Sequence, residues 1–105
     1  MRYVLIALNG ATPDGDEADL ERWYRDTHIP DLKSVPGITS ARRYQTILGG
    51  LPDQEPWPYV AIYEIETDDI EAVMTEMPSK LRPFHPDFDH SRSGHIIAVQ
   101  IAGDE

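Results

Sequence analysis

The sequence predicts a single α+β domain in which two helices pack on one face of a four-stranded antiparallel sheet. The chain has 105 residues, four segments rich in β-branched and apolar residues, and two intervening segments with apolar residues at helical spacing. This length corresponds to one domain, covering residues 1–105. The 40% hydrophobic and 9% aromatic content is typical of a globular protein and too high for a disordered one.

The first strand and the first helix are predicted in the first third of the chain. Residues 2–10 form an apolar, β-branched run that ends in a turn signal, which indicates a strand buried on both faces. Asp16 is a suitable N-cap for the helix that follows. Pro30 disfavours helical geometry at Ile29, so we expect the helix to kink or restart near His28. One face of this helix carries Leu20, Trp23, Tyr24, Thr27 and His28.

The remaining elements follow after a Pro-Gly turn at residues 36–37. A second strand is predicted at about residues 38–47, and a loop rich in proline and glycine leads to a third strand over 59–65. Apolar residues at helical spacing predict the second helix over residues 70–81, which Pro78 should end or bend. The last strand is predicted over residues 95–101.

The resulting order of elements, β-α-β-β-α-β, is the ferredoxin-like arrangement. The first, third and last strands are apolar at both alternating sets of positions, so two helices on one face explain only half of the pattern. A second copy of the chain is the simplest cover for the other face. We therefore expect a homodimer in which the two sheets stack.

Composition excludes several classes of function. Nine basic and nineteen acidic residues give a formal net charge of −10, which disfavours nucleic acid and anionic membrane surfaces as partners. The absence of cysteine removes disulfides, thiolate nucleophiles and cysteine-ligated metals. The longest apolar run, residues 3–8, is too short to span a bilayer, and we expect a cytoplasmic protein. No phosphate-binding loop, dinucleotide-binding glycine motif or hydrolase nucleophile motif is present in the sequence.

A family resemblance is carried by three segments: residues 23–30 (WYRDTHIP), the Pro-Gly pair at 36–37, and Arg-Arg-Tyr at 42–44. Together they resemble the EthD-like proteins of the dimeric α/β-barrel superfamily. The resemblance implies a ferredoxin-like subunit whose sheet meets that of its mate to form a barrel, with a pocket between helices and sheet. It also implies chemistry without a metal or prosthetic group, as in small monooxygenases, polyketide cyclases and isomerases. His28 matches the characteristic histidine of the family.

His28 is the first candidate catalytic residue. An imidazole is the side chain whose ordinary pKa allows proton transfer in either direction near neutrality. The same helix face carries Trp23, Tyr24 and Thr27, which are candidate substrate-binding residues. The alternative is a buried histidine that only stabilises the backbone near Pro30.

Two tyrosines and an arginine on the predicted strands are further candidates. Tyr44 and Tyr63 are candidate catalytic residues and Arg42 a candidate substrate-binding residue, because a phenol or guanidinium beside an imidazole can stabilise a developing oxyanion. Residues two apart on a strand share a face, so Arg42 accompanies Tyr44. The alternative is that the tyrosines pack as strand formers and the arginines pair with surplus acids.

The loop between His85 and His95 offers a third feature. Its imidazoles and carboxylates could ligate a divalent metal, but their order matches no compact ligand motif. We therefore expect no metal and no cofactor. Phe84 and Phe88 are expected to hold this loop over the helices as a cover on the pocket.

Together with the resemblance, these observations lead to one leading function hypothesis and one alternative. The first is a small cofactor-independent enzyme that acts by proton transfer on an apolar, aromatic or polyketide-like small molecule, as an isomerase, cyclase or monooxygenase does. The alternative is a non-catalytic ligand-binding or stress-type accessory dimer. An enzyme would have an open cavity with His28 and a tyrosine hydroxyl in reach. The alternative would have a filled core with His28 bonded only to backbone.

Overall fold

The computed structural model describes residues 1–104, which form one four-stranded antiparallel sheet with helices on one face. The strands are β1 (Arg2–Asn9), β2 (Ile38–Gln45), β3 (Tyr59–Glu66) and β4 (Gly94–Val99). Their order across the sheet is β2-β3-β1-β4, and each neighbouring pair is antiparallel. The predicted ferredoxin-like fold is confirmed.

The first helical region contains a π-helical turn. Helix α1 (Glu17–Trp23) continues through the π turn (Tyr24–His28) into helix α2 (Ile29–Lys33). The Asp16 carboxylate caps α1 by accepting a hydrogen bond from the Asp19 N–H, as expected from its position.

The sequence predicted that Pro30 would move Ile29 out of helical geometry, and the structure differs on this point. Ile29 has helical dihedral angles, φ −59° and ψ −50°, and its N–H donates to the carbonyl of Tyr24, five residues back. The π turn supplies the local change in hydrogen bonding, and Pro30 occupies the first turn of α2, where a missing N–H is tolerated. The prediction that Ile29 leaves helical geometry is therefore wrong, whereas a restart at His28 is what the structure contains.

The third helix, α3 (Ile70–Lys80), lies beside α2. The Asp69 carboxylate caps it by accepting from the Ala72 N–H. Pro78 lies inside α3, and the helix ends two residues later. None of the helices within residues 1–104 is long and apolar enough to cross a membrane.

The hydrophobic core lies between the helices and the inner face of the sheet. In the register of the sheet, Leu5 of β1 faces Tyr63 of β3. Each fully buried aliphatic side chain contributes about 1.5–3 kcal/mol by leaving water. The buried apolar residues include Leu5, Leu20, Tyr24, Leu32, Val35, Ala61, Tyr63, Ile65, Val73 and Met77.

The outer face of the sheet carries the alternate residues of the same strands. Val4, Ile6, Val60 and Ile62 are half-buried there, and Ile96 is exposed. The registers place Ile62, Ile6 and Ile96 side by side across β3, β1 and β4. The outer sheet face is apolar over β4, most of β1 and the first half of β3, as predicted.

Candidate functional site

A cavity of about 470 Å³ opens between the helices and the β1–β4 side of the sheet. Most of its wall is apolar, with side chains from β1, α2, α3 and the segment that follows α3. Polar groups are few, which is the usual composition of a small-molecule site. The polar lining consists of Asn9, Tyr24, His28, Tyr63, His90, Ser93 and His95.

His28 lies in this wall and is only 6% exposed. Its ring stacks on Trp23 with 4.8 Å between ring centroids, and it meets the rings of Tyr24 and Phe84 at 4.9 Å each. Burial, helped by the charge of Arg43, lowers the pKa of His28 to about 4, against the opposing effect of Asp31. His28 is therefore neutral at physiological pH, and its Nδ1 has no hydrogen-bond partner among residues 1–104.

The π turn explains how His28 reaches the cavity. Trp23 and His28 are five residues apart, which in an uninterrupted α-helix would separate them by about 140° around the axis. The wider turn over Tyr24–His28 brings the two rings into a stack. π turns occur disproportionately at functional sites.

Tyr24 and Tyr63 form a hydroxyl pair in the same cavity. Their Oη atoms are 3.1 Å apart, and Asn9 Nδ2 donates to Tyr24 Oη at 3.3 Å. Burial, reinforced by Tyr24, raises the pKa of Tyr63 far above its ordinary value. Tyr63 is therefore a neutral hydroxyl that can donate a hydrogen bond to an oxygen of a bound molecule.

Arg43 contacts Tyr24 and Asn9, next to the Tyr24–Tyr63 hydroxyl pair. Its Nε donates to both carboxylate oxygens of Glu21 at 3.1 and 3.2 Å, and its Nη1 donates to Asn9 Oδ1 at 3.3 Å. The guanidinium carbon lies 3.9 Å from the ring centroid of Tyr24 and 4.2 Å from that of Tyr59. From the sequence, Asn9 was predicted only as a turn residue at the end of a strand. Its contact with Tyr24 depends on the fold.

Tyr44 and Arg42 do not join this site, which corrects the expectation that they act beside His28. Both alternate with Arg43 along β2 and therefore lie on the outer sheet face. Arg42 Nη1 pairs with the Glu64 carboxylate at 3.1 Å, and Tyr44 is 47% exposed. Neither can contact a molecule bound next to His28 in the same chain.

The three neighbours of His28 on the predicted helix face have different positions. Tyr24 lines the cavity. Trp23 lies behind the imidazole and holds its ring plane, so it supports the wall without lining the cavity. Thr27 is half-buried and does not line the cavity, because the π turn changes the angular spacing on which its prediction rested.

The segment after α3 closes one side of the cavity. Phe84 and Phe88 contribute to the wall, with ring centroids 5.0 Å apart, which agrees with the predicted cover. Arg82 Nε donates to the Asp31 carboxylate at 3.0 Å, and the Asp89 N–H donates to the Gly10 carbonyl at 3.0 Å. These bonds tie the segment to α2 and to the end of β1.

The alternative of a metal site in this segment has no geometric support. His85 Nε2 lies 2.7 Å from the Asp19 carboxylate, and its Nδ1 accepts from the Asp87 N–H at 3.0 Å. Both ring nitrogens are therefore engaged. Within residues 1–104, no group of three or more His, Asp or Glu side chains is arranged to hold a metal ion.

Comparison with known proteins identifies similar structures but no similar sequence. No protein-family model matches the chain, and no curated protein matches it in sequence. An EthD family protein of Bacillus halodurans is 17% identical over 96% of this chain and 100% of its own, with a TM-score of 0.64. A DABB family protein with a ferredoxin-like fold from Mesorhizobium loti is 14% identical over 96% and 98%, also with a TM-score of 0.64.

A third similar structure is SnoaB, described as a cofactor-independent oxygenase from Streptomyces nogalater. It is 15% identical over 97% of this chain and 95% of its own, with a TM-score of 0.61. At identities this low, the structural similarity establishes the fold alone. At that level, the predicted resemblance to EthD-like proteins is confirmed.

Proposed function

We propose that this chain is a small cofactor-independent enzyme that moves a proton on an apolar, aromatic or polyketide-like small molecule. The observation that carries the proposal is the neutral imidazole of His28 in the wall of a largely apolar cavity that also contains the Tyr24–Tyr63 hydroxyl pair. A neutral imidazole can accept a proton from carbon or oxygen. A phenol hydroxyl can stabilise the oxygen that becomes negative when the proton leaves.

The kind of substrate follows from the cavity. A volume of about 470 Å³ lies in the range of sites for drug-sized molecules, and an apolar wall favours a hydrophobic ring system. The fold is shared with SnoaB, which is described as a cofactor-independent oxygenase, and this supports the same class of chemistry. Isomerisation, cyclisation and oxygen addition can each begin with removal of a proton, so all three belong to the proposal.

The non-catalytic alternative fits the structure less well. It calls for a filled core in which His28 is bonded to backbone. The cavity is open, and none of the hydrogen bonds found among residues 1–104 anchors the Nδ1 atom of His28. An unanchored imidazole facing a cavity supports a chemical role over a structural one.

The proposal includes a homodimer, acting in the cytoplasm, formed through the outer sheet face. Ile6 and Ile62 lie opposite each other in the β1–β3 register, and Ile96 adjoins Ile6 on β4. A contiguous apolar surface of this kind on a small protein usually marks an interface. A second copy of the chain offers a matching surface, as the two-fold symmetry of most dimers requires.

The experiment uses 1-tetralone, a bicyclic ketone that fits the proposed substrate class. Exchange of its C2 hydrogens for deuterium, followed by NMR in D₂O, reports proton removal and return without requiring the natural reaction. We expect the wild-type protein to accelerate exchange. His28→Gln should reduce the acceleration by about 100-fold or more, as expected for loss of a general base.

Tyr44→Phe is the matched control for Tyr63→Phe. Each substitution removes one phenol hydroxyl, and the two tyrosines lie on the neighbouring strands β2 and β3. Of the two, only Tyr63 lines the cavity. Exchange should fall in Tyr63→Phe and be unchanged in Tyr44→Phe. Exchange that persists in His28→Gln would contradict the proposal.

A further inference from the structure

The hydrogen bonds behind the Tyr24–Tyr63 pair have a fixed direction. A guanidinium can only donate, so the atom of Asn9 that faces Arg43 Nη1 at 3.3 Å must be the carbonyl oxygen Oδ1. The amide nitrogen Nδ2 then faces Tyr24 Oη at 3.3 Å and donates to it. The orientation of the Asn9 amide is thus determined by the charge of Arg43, which is itself held by Glu21.

This direction determines how many hydroxyl protons of the Tyr24–Tyr63 pair remain free to be donated to a molecule in the cavity. Tyr24 Oη accepts from Asn9, and one hydroxyl proton joins Tyr24 Oη to Tyr63 Oη at 3.1 Å. The two phenols carry two protons, so one remains whichever tyrosine donates within the pair. Both hydroxyls belong to residues that line the cavity, and the remaining proton can therefore be donated to a bound molecule.

We propose that Arg43 and Asn9 are positioning residues that make the Tyr24–Tyr63 pair a net hydrogen-bond donor, so that the cavity selects molecules with a carbonyl oxygen near His28. This inference rests on the proposed function, because it concerns the same cavity, and it names the functional group that the ligand must carry. If the Asn9 amide were reversed, Tyr24 would donate to Asn9, Tyr63 would donate to Tyr24, and no proton would remain.

The surroundings make this donor selective. Tyr24 and Tyr63 are both 1% exposed, so a ligand that fills the cavity removes the water that could otherwise accept the proton. A hydrocarbon leaves the hydroxyl unpaired, which is unfavourable in an apolar site. A carbonyl oxygen accepts the proton, and the same oxygen is the one that becomes an enolate when His28 removes the adjacent hydrogen.

The test compares binding of 1-tetralone with binding of tetralin, which has the same rings but no oxygen. Titration calorimetry should show that the wild-type protein binds 1-tetralone about 10-fold more tightly, the ratio expected for one well-placed hydrogen bond. Asn9→Asp should abolish this preference. Its carboxylate accepts from both Arg43 and Tyr24, which reverses the direction of the chain of hydrogen bonds.

Tyr59→Phe is the control, because Tyr59 stacks on Arg43 but does not line the cavity. It should keep the preference for 1-tetralone. A second readout does not depend on the folding of Asn9→Asp. The infrared carbonyl stretch of 1-tetralone bound to the wild-type protein should lie below its value in cyclohexane, and it should return toward that value in the double variant Tyr24→Phe/Tyr63→Phe.

Equal binding of the two probes, binding of neither, or an unshifted carbonyl stretch would overturn the inference. Retention of the preference in a folded Asn9→Asp variant would overturn the roles of Arg43 and Asn9. His28→Gln separates this inference from the proposed function. It should keep the preference for 1-tetralone while losing hydrogen exchange, so failure of exchange alone counts against His28 and not against the hydroxyl pair.

Discussion

The charge state of His28 connects its burial to the behaviour of the protein in acid. The aromatic rings around it exclude water, and this burial lowers its pKa to about 4. In the unfolded chain the pKa returns to about 6.5. Between these two values only the unfolded state binds the proton, so the free energy of unfolding falls as pH falls from about 6.5 to 4.

We therefore predict that His28 makes the wild-type protein less stable by on the order of 3 kcal/mol at pH 4 than at pH 7. Urea unfolding across this range measures the effect. In His28→Gln the dependence between pH 4 and 6.5 should flatten. His95→Gln, which removes an exposed imidazole, should leave it unchanged. Equal slopes in wild type and His28→Gln would rule out a neutral buried imidazole.

Apart from Tyr63, the polar residues of the site were predictable from the sequence where they depend on local spacing. The positions of Trp23, Tyr24 and His28 along one helix identified a polar group on an aromatic face. Asn9 and Arg43 carried no such local indication, because their partners lie 15 and 22 residues or more away in the chain. Their roles depend on which strands become neighbours.

At the scale of elements, one buried carboxylate fixes the segment that covers the cavity. Asp31 of α2 accepts from the backbone N–H of Arg82 at 2.8 Å and from its Nε at 3.0 Å. The hydrogen bond from the Arg82 side chain holds the pKa of the Asp31 carboxyl below its usual range. This interaction is therefore complete above the ordinary carboxyl pKa of about 3.8 and is lost as pH falls below it.

We expect Asp31→Ala to destabilise the protein by about 2 kcal/mol, because it removes charge-assisted hydrogen bonds at a buried position. Chemical denaturation measures this loss. Asp26→Ala is the control on the same helical region, since within residues 1–104 the Asp26 carboxylate pairs only with its exposed neighbour Arg25 and should contribute little. A loss in Asp31→Ala no larger than that in the control would show that the Asp31–Arg82 contact does not hold the segment in place.

Helices and strands were predictable where the pattern of apolar residues is regular, and less so where that pattern changes within an element. The apolar, β-branched runs of β1 and β3 and the apolar stripe of α3 located those elements to within one or two residues. The π turn broke the α-helical period and moved Thr27 away from the cavity. On β2, alternation correctly paired Arg42 with Tyr44, but a period of two cannot tell which set of residues faces the helices.

At the scale of the whole molecule, the two faces of the sheet have different roles in the proposed function: the inner face forms the cavity and the outer face the dimer interface. The inner face and the helices enclose the cavity, whose lining includes His28, Tyr24 and Tyr63. The outer sheet face has no helices over it, and its apolar part on β1, β3 and β4 forms the interface of the proposed dimer. Because side chains alternate along each strand, substitutions on one face leave the other face in place.

This division yields a prediction for assembly. Wild-type protein should sediment at twice the chain mass of 11.9 kDa, and Ile62→Lys should sediment as a monomer because it places a charge in the apolar interface. Ala18→Lys adds the same charge on an exposed position of α1 and should remain dimeric. Each chain carries a formal charge of −10, so the dimer should also tighten as added salt screens the repulsion between subunits. Wild-type protein that sediments as a monomer at high salt would show that the outer sheet face is not the interface between copies of this chain.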